Sequence, residues 1–488
     1  MMISSYDYKA LSPEDTDKLL GKMSKRFTTK PMHHQSVAML FAIDRDAVGL
    51  FFDIGVGKSL TALYISKYIW KAKRILVVCP NYSIMKTWEE QTREHTSYNV
   101  HILDMSNERR KKALRDTRRE EGVWVLTYSG ARSIFTQKQV VNGKSLLYID
   151  EDFIDSLGFD AVVYDESHHI KNHDTDQTIA CCNLAVRIPK AIVMSGTPAS
   201  ENYLNLWSQI YCLDGGQRLG RNFFGFRYKY FYEAFHKWKM KAGAGKQILN
   251  KIDDIVLSYA QEECFDLPDL VFEKRHTLIS NEQREKYDEA HEGLVKLMHG
   301  GQVRIDTMLK LISKMSQISN GFIYDDKKEP EYYNDIPKAK ELRKVVEECW
   351  HRGGKIIVYH RFHADREIIR KSLKGLKGVE YVESSADLAK KWDKIQKNKM
   401  PKVVVTTPNV FGEGVNFTVA DTIIFYSQDY SGEKRSQAIG RIHRKGQEKK
   451  CLVIDMLNEH TIDEDILHIA MGKLGTIQEI KDYFITEF

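Results

Sequence analysis

The sequence has no cysteine pair at C-x-x-C spacing and no His-paired zinc pattern, although it holds seven cysteines, at 79, 181, 182, 212, 264, 349 and 451. Disulfide scaffolds and zinc domains are therefore not expected, and the thiols read as buried side chains of a reducing compartment. No run of about 18 apolar residues occurs, so no membrane span is expected. The first residues, MMISSYDYKALSPEDTDK, are polar and mixed in charge, unlike a signal peptide. An intracellular protein is the expectation. A large excess of either charge is also missing. The net charge of +6 over 488 residues permits a nucleic-acid partner, but only a local cluster would argue for one. A chain of this length, 42% hydrophobic and 29% charged, exceeds one core and divides into two to four domains.

What is present begins with an apolar strand from Val48 to Phe52, a glycine-containing turn and the start of a helix at Leu60-Thr61-Ala62-Leu63. Gly55 and Gly57 let backbone N–H groups curl around an anion. Lys58 can reach the β and γ phosphates of a nucleotide, and the Ser59 hydroxyl can bind Mg²⁺. The G-x-x-x-x-G-K-[ST] pattern is met at Gly57, Lys58 and Ser59, with Phe52 at its first glycine position. Upstream, Gln35 opens an apolar helix and could read two edges of adenine with its amide, or lie on a helix surface.

Short apolar runs follow at Arg74–Pro80, Trp124–Tyr128, Ala161–Tyr164 and Ala191–Met194, with helical patterns between them. That alternation predicts βαβ units and a parallel sheet. The third run ends in Asp165-Glu166-Ser167-His168, acids at the carboxyl end of a parallel strand where such sheets bind ligands. Asp165 can hold Mg²⁺, and Glu166 can orient and deprotonate a water. The fourth run ends in Ser195-Gly196-Thr197-Pro198, whose hydroxyls could sense the nucleotide state. Glu108–Glu121 reads as a solvated helix of mixed sign or a nucleic-acid contact.

Residues 206–335 break the rhythm. Between Arg221 and Lys251, Arg227, Lys229, Lys237, Lys239, Lys241 and Lys246 alternate with nine aromatic residues, and Glu233 is the sole acid. This suits a nucleic-acid groove, or a protrusion with an aromatic core and solvated lysines. Helical spacing then marks Glu282–His299 and Ile305–Ser319. A helix over Lys338–Trp350 and strands at Lys355–Tyr359, Val403–Thr407, Thr422–Tyr426 and Cys451–Asp455 predict a second parallel sheet, which has no phosphate loop. Arg441 and Arg444, three apart, would share a helix face and could grip a γ-phosphate, or form a solvated or nucleic-acid-binding surface.

The order Gln35, G-x-G-K-S, D-E-S-H, S-G-T-P resembles the first motor lobe of superfamily-two helicases. Ser195–Trp207, Leu126-Thr127-Tyr128-Ser129 and Leu267-Pro268-Asp269-Leu270 are similar to the Swi/Snf-type ATPases in particular. So are Tyr359-His360-Arg361-Phe362, the stretch Thr407–Asn416, and Q-A-x-G-R-x-H-R-x-G-Q over Gln437–Gln447. Phe411 and Glu413 replace small residues of the family pattern. The resemblance runs from Lys30 to Asp465.

It implies an α/β protein of two RecA-like parallel-sheet lobes with helical protrusions between them. The boundaries are 1–26 as a lead-in, 27–205 as the ATP-binding lobe, 206–260 as a basic and aromatic protrusion, 261–335 as a helical protrusion, and 336–488 as the second lobe. The implied activity is ATP-driven movement along DNA, with ATP and Mg²⁺, that unwinds or branch-migrates forked and recombination DNA. The alternatives are a double-strand translocase without strand separation and a nucleotide-gated clamp without turnover. Lys58, Asp165, Glu166, Arg441 and Arg444 would be catalytic. Gln35, Gly55, Gly57, Ser59, Gly414 and Gln437 would bind nucleotide, and Ser59 and Asp165 would bind Mg²⁺. His168, Ser195 and Thr197 would couple the lobes. Pro80, Asn81, Thr127, Arg361, Thr407, Lys237, Lys239 and Lys241 would contact DNA. RNA is the alternative substrate, since a motor that grips phosphates reads little base identity. The chain leaves no spare length for a chromatin-reading module, which points to a minimal motor of a bacterial or phage-infected cytoplasm, with a nuclear location left open.

Overall fold

The computed structural model describes residues 5–141, 144–196, 198–199, 202–234, 237–299, 305–325, 327–410 and 416–471. The chain divides into two units, 1–265 and 266–488. Among the described residues, no helix is long and apolar enough to cross a membrane.

The first unit is built on a seven-stranded sheet. Its order is Val256–Tyr259, Ala47–Phe52, Lys190–Met194, Ala161–Tyr164, Arg74–Cys79, Gly122–Thr127, Asn99–Ile102, and every neighbouring pair is parallel. The inner strands are near-continuous apolar runs because helices cover both faces. Alternate residues supply the two cores. Leu76, Val78, Trp124 and Leu126 enter one layer, and Ile75, Val77, Val123 and Val125 enter the other.

Two strands differ from expectation. Val256–Tyr259 lies in the segment read as the 206–260 protrusion, yet it is the edge strand beside Ala47–Phe52. Helix Leu206–Asp214 in the same segment is core as well, with Leu206, Ile210 and Cys212 buried against the sheet. The segment that leaves the sheet is thus helix Phe223–Tyr230, the hairpin Phe231–Ala234 with Lys237–Met240, and helix Ala244–Ile252. The mixed-charge helix is Asn107–Asp116, with Leu114 buried, Arg110, Lys111 and Ala113 half-buried and the rest exposed.

The second unit holds a six-stranded sheet in the order Leu270–Thr277, Cys451–Asn458, Ala420–Phe425, Lys355–Tyr359, Val403–Thr406, Val379–Tyr381, again parallel throughout. Its first strand comes from the 261–335 segment that the sequence reading made helical. The same segment also has a small antiparallel hairpin, Phe322–Tyr324 with Pro330–Tyr332, and its two long helices, Asn281–His299 and Ile305–Asn320, pack Tyr287, Leu294, Met308, Ile312, Met315 and Ile318 with Ile462, Ile466 and Ile469. A buried ion pair fastens this packing, where Lys338 Nζ donates to Asp463 Oδ2 at 2.8 Å and to Asn320 Oδ1 at 3.0 Å.

Candidate functional site

Parallel order brings the carboxyl ends of all strands of the first sheet to one edge, and the singled-out motifs lie there. The loop 53–57 follows Ala47–Phe52, Ser195-Gly196 follows Lys190–Met194, Asp165-Glu166 follows Ala161–Tyr164, and Pro80-Asn81 follows Arg74–Cys79. Gly55 and Gly57 have φ of 85° and 86°, a left-handed backbone that other residues rarely adopt. A Cβ on Gly57 would lie 2.6 Å from the Gln35 amide nitrogen, so the loop requires glycine there on two counts.

The loop is held from the helix His33–Phe41. His34 Nε2 donates to Val56 O at 2.8 Å, and Gln35 Nε2 donates to Gly57 O at 3.2 Å while its Oε1 accepts from Met32 N. Gln35 is buried. Its amide shapes the loop, a role the sequence reading did not assign, and His34 is a loop-holding residue it missed. Lys58 is buried too; its ammonium donates to Phe52 O at 2.9 Å and Asp53 O at 3.3 Å. The same ammonium lies 3.5 Å from the Cβ position of Gly196, so the loop and the S-G-T-P turn meet at this lysine.

Asp165 is buried, and its Oδ2 accepts from Trp88 Nε1 at 2.8 Å while its carbonyl accepts from Tyr128 OH at 2.9 Å. Glu166 has φ of 50°, an uncommon conformation for a residue with a side chain and one that clusters at functional sites. His168 Nδ1 lies 3.4 Å from Glu166 Oε2 and 3.4 Å from Ser195 Oγ, which links the acidic loop to the S-G-T-P turn. Gln209 adds a second link: Ser167 Oγ donates to its Oε1, and its Nε2 donates to Pro198 O. Neither Trp88 nor Gln209 carries a sequence signal for these roles. Thr197 lies outside the described residues. A hydroxyl at Ser59 and a buried carboxylate at Asp165 are hard oxygen donors that fit Mg²⁺.

Farther along the edge, Asn81 and Thr127 cap helices. Asn81 accepts from Ile84 N and Thr127 from Gly130 N, each at 3.1 Å. In the protrusion, Lys239 is exposed, whereas Lys241 Nζ donates to Tyr228 O and Lys229 O and so closes the end of helix Phe223–Tyr230. The expected DNA role of Lys241 thus meets a capping role. The Lys237 side chain lies outside the described residues.

In the second unit, the strand ends carry His360, Arg361 and Thr407. The Arg361 guanidinium lies over the Phe362 and Tyr430 rings at 4.8 and 4.9 Å. Arg441 and Arg444 do not share a helix: Gly432–Ile439 ends with Gly440 as its cap, and both arginines sit in the turns beyond. Gln447 shapes those turns by donating to Ala420 O at 2.8 Å and Ile442 O at 3.0 Å. Burial, and then the Arg441 charge, lower the Arg444 pKa, so the two guanidinium groups act on each other after all. Gln437, on the preceding helix, donates to Glu433 Oε1 at 3.4 Å. Gly414, Phe411 and Glu413 lie outside the described residues.

Two neighbouring groups oppose each other in pH. Burial raises the Asp365 carboxyl from 3.8 to about 6 and lowers the His360 imidazole from 6.5 to about 4. Acidification from pH 6 to 4 therefore stabilises through Asp365, whose folded form binds more protons, and destabilises through His360, whose unfolded form binds more. Each displacement amounts to about 3 kcal/mol, so the slopes nearly cancel. In Asp365→Asn only the histidine slope remains: urea unfolding should show a loss of about 3 kcal/mol between pH 7 and 4 beyond that of the wild type. An unchanged profile would refute the assignment.

A SNF2-related domain model matches residues 33–322, and a helicase conserved C-terminal domain model matches residues 337–446. A protein named uncharacterized ATP-dependent helicase from Mycoplasma genitalium is 24% identical over 69% of this chain, which spans only 32% of that protein. Putative protein p41 of Acyrthosiphon pisum secondary endosymbiont phage 1 is 23% identical, over 94% of this chain and 98% of the phage protein. The solved Sulfolobus solfataricus SWI2/SNF2 ATPase core in complex with dsDNA is 22% identical with a TM-score of 0.43, covering 95% of this chain and 96% of that one. With its SNF2-related match extending over more than half of its residues, the chain belongs to the SNF2-related family.

Proposed function

We propose that the chain hydrolyses ATP when it engages DNA and uses the cycle to move along it. The observation that supports this most is the sheet edge that gathers Lys58, Asp165, Glu166 and Ser195, with the Lys58 ammonium beside Gly196. On binding, Lys58 exchanges its two backbone carbonyls for the β and γ phosphates, and the N–H groups around Gly55 and Gly57 face the same anion. Ser59 and Asp165 would hold Mg²⁺, which offsets phosphate charge. Glu166 orients and deprotonates the attacking water. Gln35, Gln437 and Gly414 complete the nucleotide contacts. Arg441 and Arg444 supply guanidinium charge to the γ-phosphate in the transition state. His168, Ser195 and Thr197 transmit the nucleotide state. Pro80, Asn81, Thr127, Arg361, Thr407, Lys237, Lys239 and Lys241 contact the DNA backbone. Relatives named ATP-dependent helicases accord with this activity.

The substrate we favour is forked or branched DNA that is unwound or branch-migrated. ATP turnover measured with duplex DNA, forked DNA, single-stranded DNA and RNA tests the reading. DNA should stimulate and RNA should not; equal turnover without nucleic acid would sink it. Triplex displacement on plain duplex without opening of forks would replace unwinding by double-strand translocation.

Trp88→Phe removes the donor that orients Asp165. The Mg²⁺ concentration for half-maximal ATPase should rise about 10- to 100-fold, the usual effect of losing a partner of a metal-binding carboxylate. An unchanged requirement would show that the Trp88 bond is only structural.

A further inference from the structure

The protrusion of the first unit exposes flat aromatic surface. Phe224 and Tyr228 are 52% and 61% exposed and stand one helical turn apart on the same face. Tyr232, 48% exposed, stands across from Lys239 on the hairpin, on the face away from Trp238. Two large rings exposed side by side, as Phe224 and Tyr228 are, mark a contact surface.

The rings are also braced. The Arg227 guanidinium lies 4.1 Å from the Trp238 ring centre, 5.1 Å from that of Phe224 and 5.5 Å from that of Tyr228. Tyr228 meets Trp238 edge-on at 5.2 Å. Behind them, His173 stacks on Phe223 at 3.6 Å, with an interplanar angle of 16°. His173 follows Glu166 by seven residues, so the protrusion is fastened to the loop that carries the acid. The surroundings are cationic: between positions 221 and 251, Glu233 is the only acid among eight lysines and arginines.

We infer that this surface binds the unpaired bases of single-stranded DNA, stacking them on Phe224 and Tyr228 while the cationic surroundings, Lys229 among them, take the phosphates. Flat rings held at fixed angles within positive charge match a chain of flat bases on a polyanionic backbone. Paired bases keep their faces within the duplex, so the surface discriminates for exposed strands. The inference rests on the reading of the chain as a DNA motor and names the part of the substrate that the protrusion takes, the open arm of a fork.

The test is binding without ATP, by fluorescence anisotropy, of a labelled oligothymidylate and a labelled blunt duplex. Phe224→Ala/Tyr228→Ala should weaken oligothymidylate binding about tenfold or more, as expected for two lost stacking rings, and leave duplex binding unchanged. Phe224→Trp/Tyr228→Phe should restore it. Unchanged oligothymidylate affinity in the double alanine variant, an equal loss on both probes, or no oligothymidylate binding by the wild type would each overturn the inference; the first leaves a protein-docking face in its place. If the selective loss is seen but the wild-type chain shows no DNA-stimulated ATPase, the motor reading fails and the stacking surface stands.

Discussion

Glu166→Gln is expected to lower DNA-stimulated ATP turnover by about 10²- to 10⁴-fold, the range a general base contributes. The substitution keeps size and polarity, so the left-handed backbone at position 166 is strained no more than before. Glutamine cannot take the proton of the attacking water, although it can still reach His168, which lies 3.4 Å from the carboxylate. ATP binding, which depends on Lys58 and the glycine loop, should survive. The variant should therefore hold ATP without turning it over, and a fluorescent ATP analogue would read the retained affinity. Near-normal turnover would remove Glu166 from the chemistry. Lost nucleotide binding would instead make it a structural residue of the loop.

Arg444→Ala is expected to cost about 10³-fold or more in turnover, the scale of a lost transition-state arginine. Its effect on stability should have the opposite sign to that of most buried substitutions. Arg444 is partly buried next to another guanidinium, and both burial and Arg441 disfavour its charged form. Removing it relieves that penalty, so resistance to urea should hold or rise. Lysine should not rescue turnover, because a point charge lacks the planar fork that grips two phosphate oxygens. A variant that unfolds more easily and still turns over would identify Arg444 as a packing residue.

The legible parts of the site share one cause. G-x-G-K-S, D-E-S-H and S-G-T-P each follow an apolar run buried on both faces of a parallel sheet, and such a run announces both itself and the edge where it ends. Val256–Tyr259 was hidden because four residues with one serine make a weak pattern. Only pairing with Ala47–Phe52, where the chain passes close to Gly49, makes them a strand. The spacing of Arg441 and Arg444 pointed to a shared helix, but the helix stops at Gly440, and Gln447 ties the next residues into turns. Trp88 and Asp165 are 77 residues apart, so their hydrogen bond follows no spacing rule. Their residue types make Gln35 and Lys241 read as ligand contacts, yet they bond to backbone carbonyls, which sequence does not display.

The most direct test of the account is steady-state ATP hydrolysis by the full chain, with and without DNA, for the wild type and Lys58→Ala. The account predicts hydrolysis that rises on adding DNA and that Lys58→Ala abolishes while the fold is retained. Hydrolysis indifferent to DNA, or a Lys58→Ala chain that still responds to it, would contradict the claim that this sheet edge is the ATP site of a DNA motor.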